Sequence, residues 1–158
     1  MATEAAALWA FALRVYARPG VQPACLALQD GHGRDVLLLL WAAWLGGLGH
    51  RLTAAEAAGA EAALAPWREA VVRPLRAVRR GLKAGPPPAP SPATEALRDR
   101  VKAAELEAER LGLDLLAGLV APRRADGSAA ANLALVAPEA PAGLLEVLAE
   151  AAQAEAAA

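Results

Sequence analysis

A thirteen-residue apolar run from Val36 to Leu48 constrains the fold of this chain more than any other feature. It contains four consecutive leucines and two tryptophans, and it carries no charged side chain. A helix that is hydrophobic all round belongs in the centre of a core. A membrane-spanning helix needs roughly 20 apolar residues, so this run is too short to cross a bilayer. We therefore predict a central buried helix with Asp35 as its N-cap and no membrane span.

Elsewhere, aliphatic side chains recur at helical spacing, and no segment alternates as a strand would. We expect an all-α fold, with residues 1–83 as a compact helical core domain around helix 36–48. Five prolines within nine residues predict an extended, semi-rigid polyproline II linker over residues 84–93. Residues 94–158 are then expected to form a C-terminal helical pair that packs back on the core.

Two local signals are found within the region before the linker. Thr53 and Glu56 have the spacing of a capping box, which predicts the start of a helix. Pro66 and Pro74 should interrupt or kink that helix, because each lacks a backbone donor.

The first helix after the linker has apolar residues at alternating spacings of four and three, as in the a and d positions of a heptad. This seam consists of Leu97, Val101, Ala104, Ala108, Leu111 and Leu115. The two alanines are small enough to let another helix approach closely. We expect an intramolecular helical hairpin, with a homodimer through residues 97–115 as the alternative.

Residues 67–83 form a basic amphipathic helix with two contrasting faces. The predicted apolar stripe is Trp67, Val71, Leu75, Val78 and Leu82. The opposite face, named here the basic face, consists of Arg73, Arg76, Arg80 and Lys83. A face of this kind can bind phosphate groups of nucleic acid or of lipid. No aromatic side chain interleaves the arginines, so base stacking is not indicated.

The distribution of charge favours internal pairing of the basic face. Residues 53–84 carry six basic and three acidic side chains, whereas residues 85–158 carry six basic and eleven acidic ones. The formal net charge of the whole chain is only −1. Opposite charges on the two sides of the linker would account for that neutrality, and we expect the basic face to be solvated or paired with the acidic half.

A polar hinge separates two apolar helices. Its candidate site residues are Gln29, Asp30, His32, Arg34 and Asp35. Carboxylates and histidine are the groups that acid–base catalysis uses, but a short loop also gathers them for capping and ion pairing. We expect Asp35 to cap the next helix and Asp30 to pair with Arg34 or Arg18. A ligand pocket beside Trp41 and Trp44 is the alternative.

Motifs for nucleotide binding, serine hydrolysis and zinc proteolysis are absent from the sequence. The single cysteine, Cys25, cannot form a disulfide framework, and its apolar neighbours predict a buried structural thiol. No catalytic residue, metal ligand or cofactor is assigned.

The four tryptophans are expected in the core with their indole N–H groups bonded to carbonyls. Met1–Glu4 lacks the basic start of a secretory signal, which favours a cytoplasmic location.

Three segments carry a resemblance to a known family. They are Tyr16–Val21 with the pattern Y-x-x-P-G-V, Ala24–Asp30 with A-C-L-x-L-Q-D, and Arg68–Arg76 with R-x-x-V-V-x-P-L-R. Through these segments, residues 9–83 resemble small helical proteobacterial proteins grouped as domain of unknown function 2390. The resemblance implies no particular activity.

The resemblance does indicate where a shared site would lie. It points to Gln29, Asp30, Asp35, Arg73 and Arg76. The family pattern reads D-V-N after the hinge, whereas this chain has Leu37 in place of the asparagine. The loss of that polar side chain fits a packing role at position 37.

Three functional hypotheses follow from these features. The leading one is a non-enzymatic cytoplasmic interaction or adaptor protein, which would bind another protein or a second copy through the basic face, the seam or both. The first alternative is a nucleic-acid-associated protein that uses the basic face of residues 73–83. The second is a small-molecule binder or enzyme at the hinge of residues 29–35.

Overall fold

Helices form nearly all of the regular structure in residues 3–158, the part of the chain that the computed structural model describes. The elements in chain order are α1 (Glu4–Tyr16), α2 (Val21–His32), α3 (Val36–Gly47), α4 (Ala54–Trp67), a π-helical turn (Arg68–Val72), α5 (Arg73–Ala84), α6 (Pro92–Ala117), α7 (Ala129–Val136) and α8 (Ala142–Ala157). No strand occurs within residues 3–158, so the all-α prediction is confirmed. Nor is any helix of that range both long and apolar enough for a membrane crossing.

Helix α3 lies at the centre of the fold. Every residue from Leu37 to Gly46 is buried. The Asp35 carboxylate accepts a hydrogen bond from the Leu37 amide at 2.8 Å, so Asp35 is the N-cap as predicted. Helix α7 makes the most extensive contact with α3, and α1, α6 and α8 cover other sides of it. Because α3 has no polar face, helices from both halves of the chain are needed to cover it.

The helices after residue 91 complete the same core. Leu113 and Leu116 of α6, Leu133 of α7 and Leu148 of α8 are fully buried in one cluster with the side chains of α3. The hydrophobic core is therefore shared between the two halves of the chain. The division of the chain into a core domain of residues 1–83 and a C-terminal segment of residues 94–158 stays a prediction.

A buried amide joins the C-terminal end of α3 to α7. The side-chain nitrogen of Asn132 donates to the carbonyl oxygens of Ala42 and His50, at 3.1 and 2.9 Å. Its side-chain oxygen accepts from the Leu52 amide at 3.1 Å. The His50 carbonyl and the Leu52 amide lie in the bend after α3, outside any helix, so the Asn132 side chain supplies a partner to both.

The prolines of the α4–α5 region are accommodated without breaking the helix. The capping box of Thr53 and Glu56 is present, and helical structure continues to Ala84. Between Pro66 and Pro74, five residues form a π-helical turn, in which the Arg73 amide donates to the Arg68 carbonyl. The wider turn relieves the clash between a proline ring and the preceding carbonyl, so the helix widens locally and does not end.

The predicted apolar stripe of this helix is only partly buried. Trp67, Val71, Leu75 and Leu82 are half-buried, whereas Val78 is half exposed, and the fully buried residue is Val72 beside the stripe. A π-helical turn inserts one extra residue, so a phase counted at 100° per residue across it is wrong. The stripe from Trp67 to Leu82 is therefore not one continuous buried face.

The connection between α5 and α6 differs from the predicted extended linker. Residues 85–91 make a short turn in which the Ala89 amide donates to the Pro86 carbonyl at 3.0 Å, and Ala89 is buried. Helix α6 begins immediately, with Ser91 and Thr94 as its capping box. Helices α5 and α6 pack against each other, so the polyproline II prediction for this segment is wrong.

The buried face of α6 also differs from the predicted seam. Its buried residues are Thr94, Glu105, Ala108, Gly112, Leu113, Leu116 and Ala117. Of the seam, only Ala108 is buried, whereas Leu97, Leu111 and Leu115 are 42%, 49% and 41% exposed. The intramolecular hairpin is formed with α5, through a neighbouring face of the helix. A homodimer through residues 97–115 stays a prediction.

Gly46 is required where α3 and α7 approach each other most closely. A Cβ atom at this position would overlap the backbone of Ser128 and Ala129, whereas a Cβ at Gly59 in α4 would meet nothing within 4 Å. We predict that Gly46→Ala lowers the free energy of unfolding by about 1–3 kcal/mol, the usual cost of overpacking. The matched control, Gly59→Ala, should raise it by about 0.5–1 kcal/mol, since alanine is the better helix former. Urea denaturation measures both, and equal stabilities of the two variants would contradict this close packing.

Candidate functional site

A cavity of about 590 Å³ lies between α1, α2, α5 and α6. It joins two groups of residues that are far apart in the sequence, the polar hinge and the basic face. Its polar and charged lining consists of Tyr16, Cys25, Gln29, Asp30, Arg34, Asp35, Arg68, Arg73, Arg76, Arg80 and Glu109. Two of the predicted candidate residues, His32 and Lys83, do not line it.

The rest of the lining is apolar. Trp9, Leu37, Leu40 and Leu113 are among the side chains that contribute to it. Leu13, Leu26 and Leu106 also line the cavity and are 50%, 42% and 50% exposed, so they form its mouth. The site therefore has an apolar interior, a charged wall and an apolar mouth.

The tryptophans predicted beside the hinge do not line this cavity. Trp41 is fully buried in the core, and its indole N–H has no hydrogen-bond partner within the described residues. Trp44 lines a different open cavity, on the side of α8. Trp67 behaves as expected, because its indole N–H donates to the Ala108 carbonyl at 2.8 Å. The tryptophan of the 590 Å³ cavity is Trp9, whose ring also packs under the Arg110 guanidinium.

The hinge carboxylates are held by arginines from the α4–α5 region. Asp35 caps α3 with one oxygen and accepts from Arg68 with the other, at 3.1 Å. Asp30 pairs with Arg80 at 2.9 Å, not with Arg34 or Arg18 as predicted. The Arg80 hydrogen bond holds the pKa of the Asp30 carboxyl below its usual range. Arg18 pairs with Glu155 at the C-terminal end instead.

The other hinge residues have few polar contacts. The Gln29 amide donates only to Asp30, at a long 3.4 Å, and His32 is exposed to solvent. Arg34 is half-buried, and its Nε atom is buried without a hydrogen-bond partner in residues 3–158. A buried donor without an acceptor is costly, which makes Arg34 the unusual member of the hinge.

Part of the basic face pairs internally with the acidic half, as expected. Glu105 of α6 is almost fully buried and accepts hydrogen bonds from Arg76 at 3.2 Å and from Arg79. Arg76 also contacts Glu109 at 3.3 Å. The members of the basic face differ beyond this cluster, because Arg73 pairs with Glu69 of its own helical run and Lys83 is exposed at the end of α5.

The two glutamates of this cluster have opposite pKa shifts. Burial by itself would raise the pKa of Glu105, but hydrogen bonds and charge from Arg79 and Arg76 outweigh it and hold that pKa below its usual range. Burial raises the pKa of Glu109, and the nearby charge of Glu105 raises it further. Glu109 is therefore the carboxyl of this pair that gains a proton more readily.

Two further groups in the lining are held in their protonated forms. Burial raises the pKa of Tyr16 and raises the pKa of the Cys25 thiol to about 12. The thiolate is the reactive form of cysteine, so Cys25 is not a nucleophile at neutral pH. Its 1% exposure confirms the predicted buried thiol. No cluster of three or more potential metal ligands occurs within residues 3–158.

The sequence did not predict every residue of this cavity. Trp9, Leu106 and Glu109 were not among the candidate site residues, and only packing brings them to the hinge. Tyr16 and Arg68 do lie in the segments that carry the family resemblance.

Comparison with known proteins finds one family. Residues 7–116, more than half of the chain, match the family described as "Protein of unknown function (DUF2390)". No curated protein and no solved structure matches the chain. The matched residues include α1 to α5 and nearly all of α6, the helices that line the cavity.

The buried Glu105 carboxylate provides a pH-dependent test of the α5–α6 pairing. We predict that Glu105→Gln lowers the free energy of unfolding at neutral pH by about 3–5 kcal/mol, because it leaves two arginines without their buried partner. The lowered pKa of Glu105 means that its contribution is present above the ordinary glutamate pKa of roughly 4.3 and is lost as the pH falls through the folded-state value.

The difference between wild type and Glu105→Gln should therefore shrink in acid, as followed by urea denaturation across a pH series. Glu107→Gln, at an exposed position of the same helix, is the control and should change stability little. A Glu105→Gln effect that stays constant with pH would contradict the ion-pair assignment.

Proposed function

The chain belongs to the DUF2390 family, whose description assigns no activity, and we propose that it is a small-molecule binding protein. Its ligand would be amphipathic and would occupy the cavity between α1, α2, α5 and α6. One observation carries this proposal, namely that four residues of the polar hinge and three of the basic face line the same cavity of about 590 Å³. Ligand pockets are typically concave spaces of roughly 300–1,000 Å³ with apolar walls and a few polar groups.

The mouth of the cavity supports an apolar part in the ligand. Leu13, Leu26 and Leu106 come from three different helices and are all substantially exposed at this one opening. Single exposed leucines are common on protein surfaces, but a cluster of them beside a concave site is typical of a binding surface. A ligand with an aliphatic or aromatic portion would cover these side chains.

The family resemblance supports the same place. All five residues to which it points line the cavity, although they come from the two sides of the hinge and from α5. Leu37, which stands where the family pattern has asparagine, is buried and lines the cavity too. Only Asp35 and Arg73 of the five also line the neighbouring cavity of about 390 Å³. A common ligand site in the 590 Å³ cavity would account for the grouping of all five.

The other hypotheses have less support. Arg76 and Arg80 are paired with carboxylates and line a concave space, whereas nucleic acid binding needs basic side chains along an accessible surface. An adaptor role that uses another protein or a second copy through residues 97–115 stays a prediction. The cytoplasmic location also stays a prediction.

Binding of a neutral apolar fluorophore tests the proposal directly. N-phenyl-1-naphthylamine gains fluorescence in apolar sites, and we expect saturable binding with one molecule per chain. Ala77 is exposed and lines the cavity, so Ala77→Trp should fill part of the opening without disturbing the core. We predict an affinity at least ~10-fold lower for this variant, a loss of about 1.4 kcal/mol.

Ala103→Trp is the matched control, because Ala103 is exposed on α6 and does not line the cavity. It should bind the fluorophore as the wild type does. Absence of saturable binding, or an equal affinity in the two tryptophan variants, would refute a ligand site in this cavity.

A further inference from the structure

The charged wall of the cavity indicates which chemical class of ligand it takes. We infer that the ligand is an anion, with a carboxylate or phosphate head group between Arg34 and Arg73 and an apolar body in the 590 Å³ cavity. This inference rests on the proposed function and adds to it the sign and position of the ligand's charge.

The hinge forms a wall shared by two cavities. On its other side is a cavity of about 390 Å³ lined by residues of α3, α4 and α7. The residues that line both spaces are Gly33, Arg34, Asp35, Arg68 and Arg73. A head group at this wall would be accessible from both sides, while its apolar body stays in the larger cavity.

Within the shared wall, the Asp35–Arg68 pair is already complete. The two side chains are only 11% and 14% exposed, and Arg68 makes a further bidentate contact with Glu61. The hydrogen bonds that Arg68 donates to Glu61 and Asp35 raise the pKa of Arg68 above its ordinary value. This pair serves to hold the wall in place and has little capacity left for a ligand.

Arg34 is the opposite case. It forms no ion pair within residues 3–158, and its buried Nε has no acceptor there. The Nε atom itself is buried, but the terminal nitrogens of this guanidinium are not among the buried unpaired atoms of residues 3–158, and Arg34 lines the cavity. A carboxylate or phosphate oxygen would accept a charge-assisted hydrogen bond from them, which is stronger than a neutral one. Arg34 is therefore the residue that we assign to direct contact with the head group.

Arg73 can contribute a second positive charge at little cost. Its one carboxylate partner within the described residues is Glu69, four residues earlier in the same helical run, and both side chains are about half exposed. Exposed pairs of this spacing contribute little to stability. If a ligand anion replaced Glu69 as the partner of Arg73, the free energy of unfolding would therefore change little.

The cavity as a whole also favours an anion. Five arginines and three carboxylates line it, as identified above. Further carboxylate partners of these arginines, Glu61, Glu69 and Glu105, lie outside the lining. The cations thus face the cavity while part of their neutralising charge lies behind them, which gives the cavity a positive potential.

Displacement of bound N-phenyl-1-naphthylamine by a matched series of decyl compounds tests the sign of the charge. Decanoate and decyl phosphate should displace the fluorophore at concentrations ~10-fold lower than decanol or decyltrimethylammonium, the gain expected from one charge-assisted contact. The ratio between decanoate and decyl phosphate distinguishes a carboxylate from a phosphate head group.

Substitutions at Arg34 test the position of the charge. Arg34→Gln should weaken decanoate or decyl phosphate binding ~10-fold and leave decanol unchanged, whereas Arg34→Lys should keep most of the affinity. The control is Arg51→Gln, since Arg51 forms an exposed pair with Asp126 and lines neither cavity. Urea denaturation checks that each variant is folded. If Arg34→Gln does not fold, Arg73→Gln takes its place in the binding measurement.

The outcomes separate this inference from the proposed function. If the fluorophore does not bind, the proposed ligand-binding function and the anion inference both fail. If it binds but decanol equals decanoate, or if Arg34→Gln and Arg51→Gln have equal affinities for the anions, the cavity remains a ligand site and the anion inference is overturned.

Discussion

The complete burial of α3 is the constraint on which the rest of the structure depends. An apolar helix without a polar face must be covered on every side, and one layer of neighbouring helices from residues 3–83 does not achieve this. Helices α6, α7 and α8 supply the remaining cover. At one end of α3, Asn132 bonds to backbone groups of the helix and of the bend that follows it. At the other end, Asp35 caps the Leu37 amide and is itself held by Arg68.

The cavity lies at the N-terminal end of α3, where the surrounding helices no longer pack closely against it. At the N-terminal end of α3 the chain becomes polar, and the hinge cannot be packed as tightly as the leucines that follow it. Helix α5 is held against α6 by the buried Glu105 and its two arginines. Removal of one partner from a buried ion pair is costly, so this cluster opposes separation of the two helices. With α5 fixed on α6, a space remains between α5 and the first two helices, and the hinge faces it.

Features that depend on local sequence could be predicted, and features that depend on packing could not. Asp35 as N-cap, the Thr53–Glu56 capping box and the burial of Cys25 each follow from neighbouring residues. The phase of α5 could not be predicted, because the π-helical turn inserts a residue. Nor could the packing face of α6, which is set by Glu105 and Gly112 and not by the leucines of the seam. Both errors arose from extending one helical period over a whole segment. In α5 the π-helical turn interrupts that period, and in α6 the packing partner decides which face is buried.

The same reasoning explains why the hinge and the basic face looked like two weak sites. Each is a short group of charged and polar side chains. The formal net charge of the chain is only −1, which argued against strong attraction of an anion to either group. Once α5 packs on α6, the arginines point into a concave space and their partner carboxylates lie partly behind them. A polyanion needs cations spread along an accessible face, whereas a small anion in a cavity can contact several of them at once. The geometry of the charges, more than their number, therefore favours a small ligand.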